Sequence, residues 1–485
     1  MLRAAAVFSD HMVLQRERPI VVFGEADAPV TAVMGDARAQ AEPQAGRFRL
    51  TLPALPAGGP HTLMLECGGE RATFTDVMVG EVWLCGGQSN MEFTLITGKD
   101  GAAEAASAED DMLRFYTVNE EADVDEAMLC RERATCWKAL RPGTCGDVSA
   151  VAYYAGRRLR EQLGVPVGML ICCVGGTEIS NWISREALLD LPEGRAELEA
   201  FEKSIEGIDD AAFQRASDAY AARVDAWCAI SDAMRREDAN VKADAIVARA
   251  GDFPWPPPTG PGMMRRPGNL WRTMTSRIVP YGAKGLLWYQ GESDSGKAAA
   301  YPALFAAMIG QWRRDFENDG LFVVAAQLPN YGADPAQEDW PAIREAQQRV
   351  CDSVPGCALA CLLDCGETGD IHPWDKRAPG RRMADLALKH AYGRADIPAD
   401  APRLSGVERI HGGARLRFTR PLAELRGEGR SLLADGAIAA ARVEDGALVI
   451  EADRLRRVSY ARENDPEACL FAQGGLPVFP FDIEL

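Results

Sequence analysis

Residues 80–92 read Gly80-Glu81-Val82-Trp83-Leu84-Cys85-Gly86-Gly87-Gln88-Ser89-Asn90-Met91-Glu92. Glu81–Cys85 is a compact apolar run closed by two glycines, the pattern of a buried strand that opens into a loop. The pattern recurs downstream. Val167–Val174 leads into Gly175-Gly176-Thr177, and Gly285–Tyr289 into Gln290-Gly291-Glu292-Ser293. Leu321–Gln327 is another such run, and Ala358–Leu363 leads into Asp364 and then Gly369-Asp370-Ile371-His372-Pro373. Amphipathic segments separate these runs. Val151, Ala155, Leu159 and Leu163 form an i, i+4 stripe that stops at Gly164, and Phe305, Met308, Ile309 and Trp312 share one face of Ala303–Phe316. Apolar strands alternating with amphipathic helices predict an α/β fold whose parallel sheet is covered on both faces. Ligands bind beyond the carboxyl ends of such strands, so the four polar clusters are expected to meet in one crevice.

The pattern changes on either side. From Ala4 to Val79, short alternating segments (Pro19–Phe23, Val30–Met34, Arg47–Leu52, Thr62–Glu66) are punctuated by glycines, which predicts an N-terminal antiparallel β-domain of sandwich type over 1–79. The α/β domain then spans 80–400, and β-like segments return in a C-terminal region, 401–485. A charged helical insert interrupts the α/β part at about 185–250, with Phe201, Ile205, Phe213, Tyr220, Val224 and Trp227 expected to pack over the sheet. A stiff Pro-rich loop, Phe253–Gly268, follows it.

A chain of 485 residues with 47% hydrophobic and 26% charged residues is a folded protein of two or three domains. Its net charge of −18 argues against nucleic acid and anionic membranes as partners. No secretory leader and no apolar run of membrane-spanning length is visible, which reads as a cytoplasmic protein, or a secreted one if a leader preceded residue 1. The 13 cysteines are odd in number and several lie in apolar runs, so they read as reduced core residues in a reducing compartment. Cys361 and Cys365 lack companions for a zinc site, so no metal is expected.

Two glycines, Gly86 and Gly87, precede Gln88-Ser89 and leave the Ser89 hydroxyl accessible. It is not in a G-x-S-x-G elbow, and taken alone it reads as a helix cap. Its company changes the reading. The chain has five histidines, His11, His61, His372, His390 and His411, and of these His372 alone follows a strand end of the α/β part with acids beside it. That makes His372 the candidate general base for a Ser89 nucleophile.

At this point the sequence resembles the sialate O-acetylesterase family of the SGNH or GDSL-like hydrolase superfamily. The matching stretches are Phe8–Gln15, Gly80–Glu92, Gly175-Gly176-Thr177 with Trp182, Pro267–Trp271, Trp288–Ser293, Asp370–Pro373, and Gly474–Pro477 with Pro480-Phe481. The resemblance implies a flavodoxin-like hydrolase domain and a serine esterase that removes O-acetyl groups from carbohydrates through an acetyl-serine intermediate. It carries over Ser89 as nucleophile and His372 as base, with an oxyanion hole from the Ser89 N–H, the Gly176 N–H and the Gln290 side chain. Gly175 is the neighbouring alternative to Gly176. The superfamily's usual acid position, three residues before the histidine, is Gly369 here. Asp370 is the preferred acid, with Asp364, Glu367 and Glu292 as rivals.

No metal or organic cofactor is required by this chemistry. The expected partner is an acetylated carbohydrate, sialate first and acetylated xylan or another plant glycan as the alternative. Arg265 and Arg266 are candidate cations for a sugar carboxylate, against the plainer reading of a solvated pair. Trp182, Trp255 and Trp271 are candidates for stacking on sugar, against a scaffold role. A non-catalytic carbohydrate-binding protein is the competing class, disfavoured by the intact Ser89, Gln290 and His372. A lipid or thioester hydrolase is disfavoured by the lack of an apolar lid helix.

Overall fold

The computed structural model describes residues 1–332, 334–336 and 338–485. Among them, an 11-stranded mixed sheet is accompanied by smaller sheets of three, four, two and four strands. The fold is mixed α/β.

The large sheet is organised around β1 (Glu70–Gly87), followed along the chain by β2 (Asp110–Thr117), β3 (Lys138–Leu140), β4 (Val167–Cys173), β5 (Gly285–Tyr289), β6 (Phe322–Ala326) and β7 (Cys357–Ala360). Their order across the sheet is β3-β2-β4-β1-β5-β6-β7, and every neighbouring pair is parallel except β3 with β2. The loops after β4, β1, β5 and β7 therefore leave the same edge of the sheet. β1 is 18 residues long. Its first half pairs antiparallel with Gly58–Cys67, and its second half lies between β4 and β5. The expected boundary at residue 79/80 thus falls inside a strand, and the N-terminal strands are hydrogen-bonded into the central sheet.

The apolar runs are continuous because both faces of the sheet are buried. Side chains alternate along a strand. Val82, Leu84, Leu286 and Trp288 join one core cluster, while Trp83, Cys85, Leu287 and Tyr289 join the other. The first face is covered by α5 (Tyr301–Asp315) and α6 (Trp340–Ser353), the second by α1 (Ala150–Leu163) and α7 (Arg377–Ala391). α1 is capped by the Ser149 hydroxyl, which accepts the Ala152 N–H, and it ends at Gly164 with φ 69°, a left-handed stop suited to glycine. No helix among the described residues is long and apolar enough to cross a membrane.

The insert is helical, as expected, comprising a short helix Arg185–Leu189, then α2 (Pro192–Ser204), α3 (Asp210–Glu237) and α4 (Ala243–Ala250). Its packing differs from expectation. Phe201, Ile205, Phe213, Tyr220, Val224 and Trp227 are half-buried rather than core, and Ser231 is the one buried residue of α3. Phe213 and Trp227 meet the Pro-rich loop, Phe213 lying against Gly260 and Gly262. Trp227 lies edge-on to Phe253 with ring centroids 5.2 Å apart, and its indole N–H donates to the Gly251 carbonyl.

The C-terminal strands are anchored by Arg344 of α6. This fully buried guanidinium donates to the carbonyls of Leu328, Pro329, Glu463 and Asn464. Burial lowers its pKa to about 10, so it still carries its charge at neutral pH.

Candidate active site

β1 ends at Gly87, whose φ of 138° and close approach to the Tyr289 carbonyl leave no room for a Cβ. The chain then turns into a single helical turn, Ser89–Glu92, that places the Ser89 hydroxyl at the sheet edge. Gln88 secures this turn to the neighbouring loop, its Oε1 accepting the Gly291 and Ser293 N–H groups. His372 comes from the loop after β7. Its Nε2 is 2.8 Å from Ser89 Oγ, a hydrogen bond across 283 residues of sequence.

Asn90 ties the two loops together. Its Nδ2 donates to Glu292 Oε1 at 2.6 Å and to the Ile371 carbonyl at 3.0 Å, while its Oδ1 accepts from Lys376 Nζ at 2.5 Å. Lys376 is buried, with its ammonium 4.8 Å from the centroid of the Phe93 ring, and burial pulls its pKa down to about 7. Burial likewise pushes the Glu292 carboxyl up, and its Oε2 has no partner among the described residues. This Lys376–Asn90–Glu292 relay lies directly beneath the His372 loop. Burial first, and the Lys376 charge second, lower the His372 pKa to about 4. The imidazole is therefore neutral at physiological pH, the state a general base requires.

Beside the serine, the Ser89 and Gly176 N–H groups make no hydrogen bond among the described residues, and neither does that of Gly175. Gly176 has φ 64°, and a Cβ there would overlap the ring of Trp255. Unpaired backbone donors at and beside a serine form the kind of arrangement that receives an oxyanion.

Two of the expected site residues, Gln290 and Asp370, have other partners in the structure. Gln290 is fully buried and its Nε2 already donates to the Thr177 carbonyl at 3.0 Å and to Asp294 Oδ2 at 2.5 Å. With both N–H bonds engaged, it has none to offer a substrate oxygen. It braces the Gly175-Gly176-Thr177 turn from behind. Asp370 comes close to His372 but not to its ring, since Oδ1 accepts the His372 backbone N–H at 2.8 Å. The rivals are engaged elsewhere: Asp364 with Arg382, Glu367 with the Trp374 N–H, and Glu292 with Asn90. No carboxylate among the described residues is hydrogen-bonded to His372 Nδ1. Asp370→Asn keeps an oxygen acceptor for the backbone N–H, and is expected to lower kcat/KM by less than about tenfold. In a triad the same change costs about 10⁴-fold. A loss of that size would show that Asp370 acts on the ring.

The candidate arginines and tryptophans separate. Arg266 pairs with Asp123 at 2.9 Å. Arg265 donates Nε to the Gly175 carbonyl at 2.6 Å, and its guanidinium carbon is 5.6 Å from the Trp255 ring centroid. Trp182 is buried and donates to Thr177 Oγ1, while Trp271 donates to Asp315. Both are scaffold. Trp255 is 52% exposed beside Gly176. Lys376 and Asn90 were not among the residues singled out in the sequence. The signal available was a lysine and an asparagine within a few residues of His372 and Ser89.

A family model described as a carbohydrate esterase, sialic acid-specific acetylesterase, matches residues 79–236 and 261–385. The curated sialate O-acetylesterase of Rattus norvegicus is 26% identical over 458 residues, covering 86% of this chain and 78% of that protein. The Homo sapiens sialate O-acetylesterase is 24% identical, covering 86% of this chain and 76% of its own. Among solved structures, a carbohydrate acetylesterase from Xanthomonas citri superposes with a TM-score of 0.75 at 26% identity, covering 99% of both chains.

Proposed function

Since the chain belongs to the sialic acid-specific acetylesterase family of carbohydrate esterases and hydrolyses O-acetyl esters on carbohydrates, we propose that Ser89 is its nucleophile, His372 its general base and O-acetylated sialate its substrate. The observation that carries the assignment is the 2.8 Å contact between Ser89 Oγ and His372 Nε2 beside unpaired backbone N–H groups. His372 takes the hydroxyl proton as Ser89 Oγ attacks the acetyl carbonyl. The oxyanion is received by the Ser89 and Gly176 N–H groups. His372 then gives the proton to the departing sugar oxygen, leaving acetyl-serine. Water, deprotonated by the same imidazole, releases acetate and restores the hydroxyl. The serine proton leaves on the sugar hydroxyl and a proton from the water replaces it, so the enzyme is restored after each cycle.

The family match and the names of the mammalian relatives support sialate as the sugar. Acetate release from 9-O-acetyl-N-acetylneuraminic acid, measured beside acetylated xylo-oligosaccharides, tests it. A higher kcat/KM on the xylo-oligosaccharides overturns the sialate assignment and leaves the serine mechanism standing. The parallel strand order and the clustering of loops at one sheet edge support a flavodoxin-like hydrolase unit over 80–400, flanked by β-units over 1–79 and 401–485.

The pH dependence follows from His372. A base must be neutral, so kcat/KM is present above its pKa and lost as pH falls through it. With that pKa held at about 4, activity on 4-nitrophenyl acetate is expected to persist down to about pH 4. Lys376→Met removes the neighbouring charge, and the acid limb is expected to move upward, toward the ordinary imidazole value of about 6.5. Coincident acid limbs in the two proteins would rule out the Lys376 influence.

A further inference from the structure

The family match breaks between residues 236 and 261. The intervening stretch contains α4 and the start of the Pro-rich loop, and it folds back over the glycines next to Ser89. Trp255, inside this stretch, sets the edge of its ring against the Cα of Gly176, where a Cβ would come within 2.0 Å of the ring. Arg265 lies over the ring with its guanidinium carbon 5.6 Å from the centroid, and the residue is still 52% exposed. Between this loop and α2 lies a pocket of about 330 Å³, lined among others by Gly176, Asn181, Phe201, Trp255, Thr259 and Arg265.

We propose that this pocket is the subsite for the sugar ring that carries the acetyl group, with Trp255 as its stacking platform. The inference rests on the esterase reading of Ser89 and goes beyond it by placing the sugar on this chain's own insert. Three observations carry it. A tryptophan left 52% exposed at the mouth of a pocket is a large apolar face kept in water, which a pyranose C–H face would cover. The pocket shares Gly176 with the acetyl site, so an ester held at Ser89 delivers its alcohol portion there. Its walls also offer polar groups for hydroxyls. The terminal nitrogens of Arg265 make no hydrogen bond among the described residues, and the Glu178 and Glu197 carboxylates meet on Lys297 at the pocket wall. An aromatic face with a few convergent polar groups is the usual constitution of a small-molecule site.

The test compares kcat/KM on acetylated sugar with kcat/KM on 4-nitrophenyl acetate, whose alcohol is not a sugar. Both 9-O-acetyl-N-acetylneuraminic acid and acetylated xylotriose serve as sugar probes. Trp255→Ala is expected to lower the sugar-to-nitrophenyl ratio about tenfold, mainly through KM, and Trp255→Phe to recover most of it. Ala200→Trp, at an exposed position of α2 lining the same pocket, fills it without touching Gly176 and is expected to lower the ratio similarly. Unchanged ratios for both sugars in both variants overturn the subsite. A parallel fall on sugar and nitrophenyl ester in both variants also overturns it, because the pocket would then serve the catalytic turn and not the sugar. The loss of about 10⁴-fold in Ser89→Ala on both kinds of ester is a separate result, and activity within tenfold of wild type would refute the nucleophile rather than the pocket.

Discussion

Ser89→Ala is expected to lower kcat/KM on 4-nitrophenyl acetate by about 10⁴-fold or more, with the fold unchanged. The size follows from what is lost: without the hydroxyl there is no acetyl-enzyme, and water must attack directly. The remaining N–H donors still stabilise an oxyanion, so some residual catalysis over water is expected. His372→Ala should cost a similar factor, because the hydroxyl is a weak nucleophile until its proton is accepted. The double variant should be hardly worse than either single one, since two members of one proton-transfer unit do not contribute independently. Burst kinetics and mass spectrometry of the quenched enzyme report the acetyl group on Ser89 directly. Ser89→Ala activity within tenfold of wild type, or losses for the two variants that multiply in the double variant, would be incompatible with the mechanism. Ser89 Oγ makes its side-chain hydrogen bond to His372 alone among the described residues, so circular dichroism and the thermal transition should be preserved.

The central strands and the meeting of their loops were legible because both sheet faces are buried, which leaves unbroken apolar runs ending in glycine. β5 matches its expected span of Gly285–Tyr289 residue for residue, and β4 ends one residue earlier than expected. What escaped the reading has a common cause. β2 contains Arg114, which is buried and donates to the carbonyls of His11 and Asp76. α6 carries Arg344 and Gln347 on its buried side. Polar residues satisfied by distant carbonyls interrupt the apolar period on which such reading depends. The same limit applies at the site. Asp370 and Gln290 have the right chemistry and position, but nothing in the sequence shows that one is engaged by a backbone N–H and the other by Thr177 and Asp294. Trp255 looked no different from Trp182 and Trp271, because exposure is set by the fold around a residue.

The other large effect is on stability, at the buried arginine that interrupts α6. Arg344→Met is expected to lower the free energy of urea unfolding by about 3–5 kcal/mol. A hydrogen bond from a charged donor contributes about 1.5–3 kcal/mol, and a buried acceptor left unpaired costs about 1–3 kcal/mol. Arg344 serves four carbonyls at 2.7–2.9 Å, two in the loop after β6 and two at Glu463 and Asn464. Methionine fits a similar volume, so the loss is of hydrogen bonds rather than packing. Against this stands the cost of keeping a guanidinium out of water, which the substitution relieves and which keeps the expected value below the sum of the four bonds. Arg349 in the same helix is the internal comparison. Its ion pair with Glu345 has side chains 64% and 49% exposed, and Arg349→Met is expected to cost less than about 1 kcal/mol. Equal effects from the two substitutions would mean that the Arg344 bonds only offset its desolvation. A much larger effect for Arg344, accompanied by faster amide exchange in 460–472, would identify this side chain as the clamp holding the C-terminal strands to the catalytic sheet.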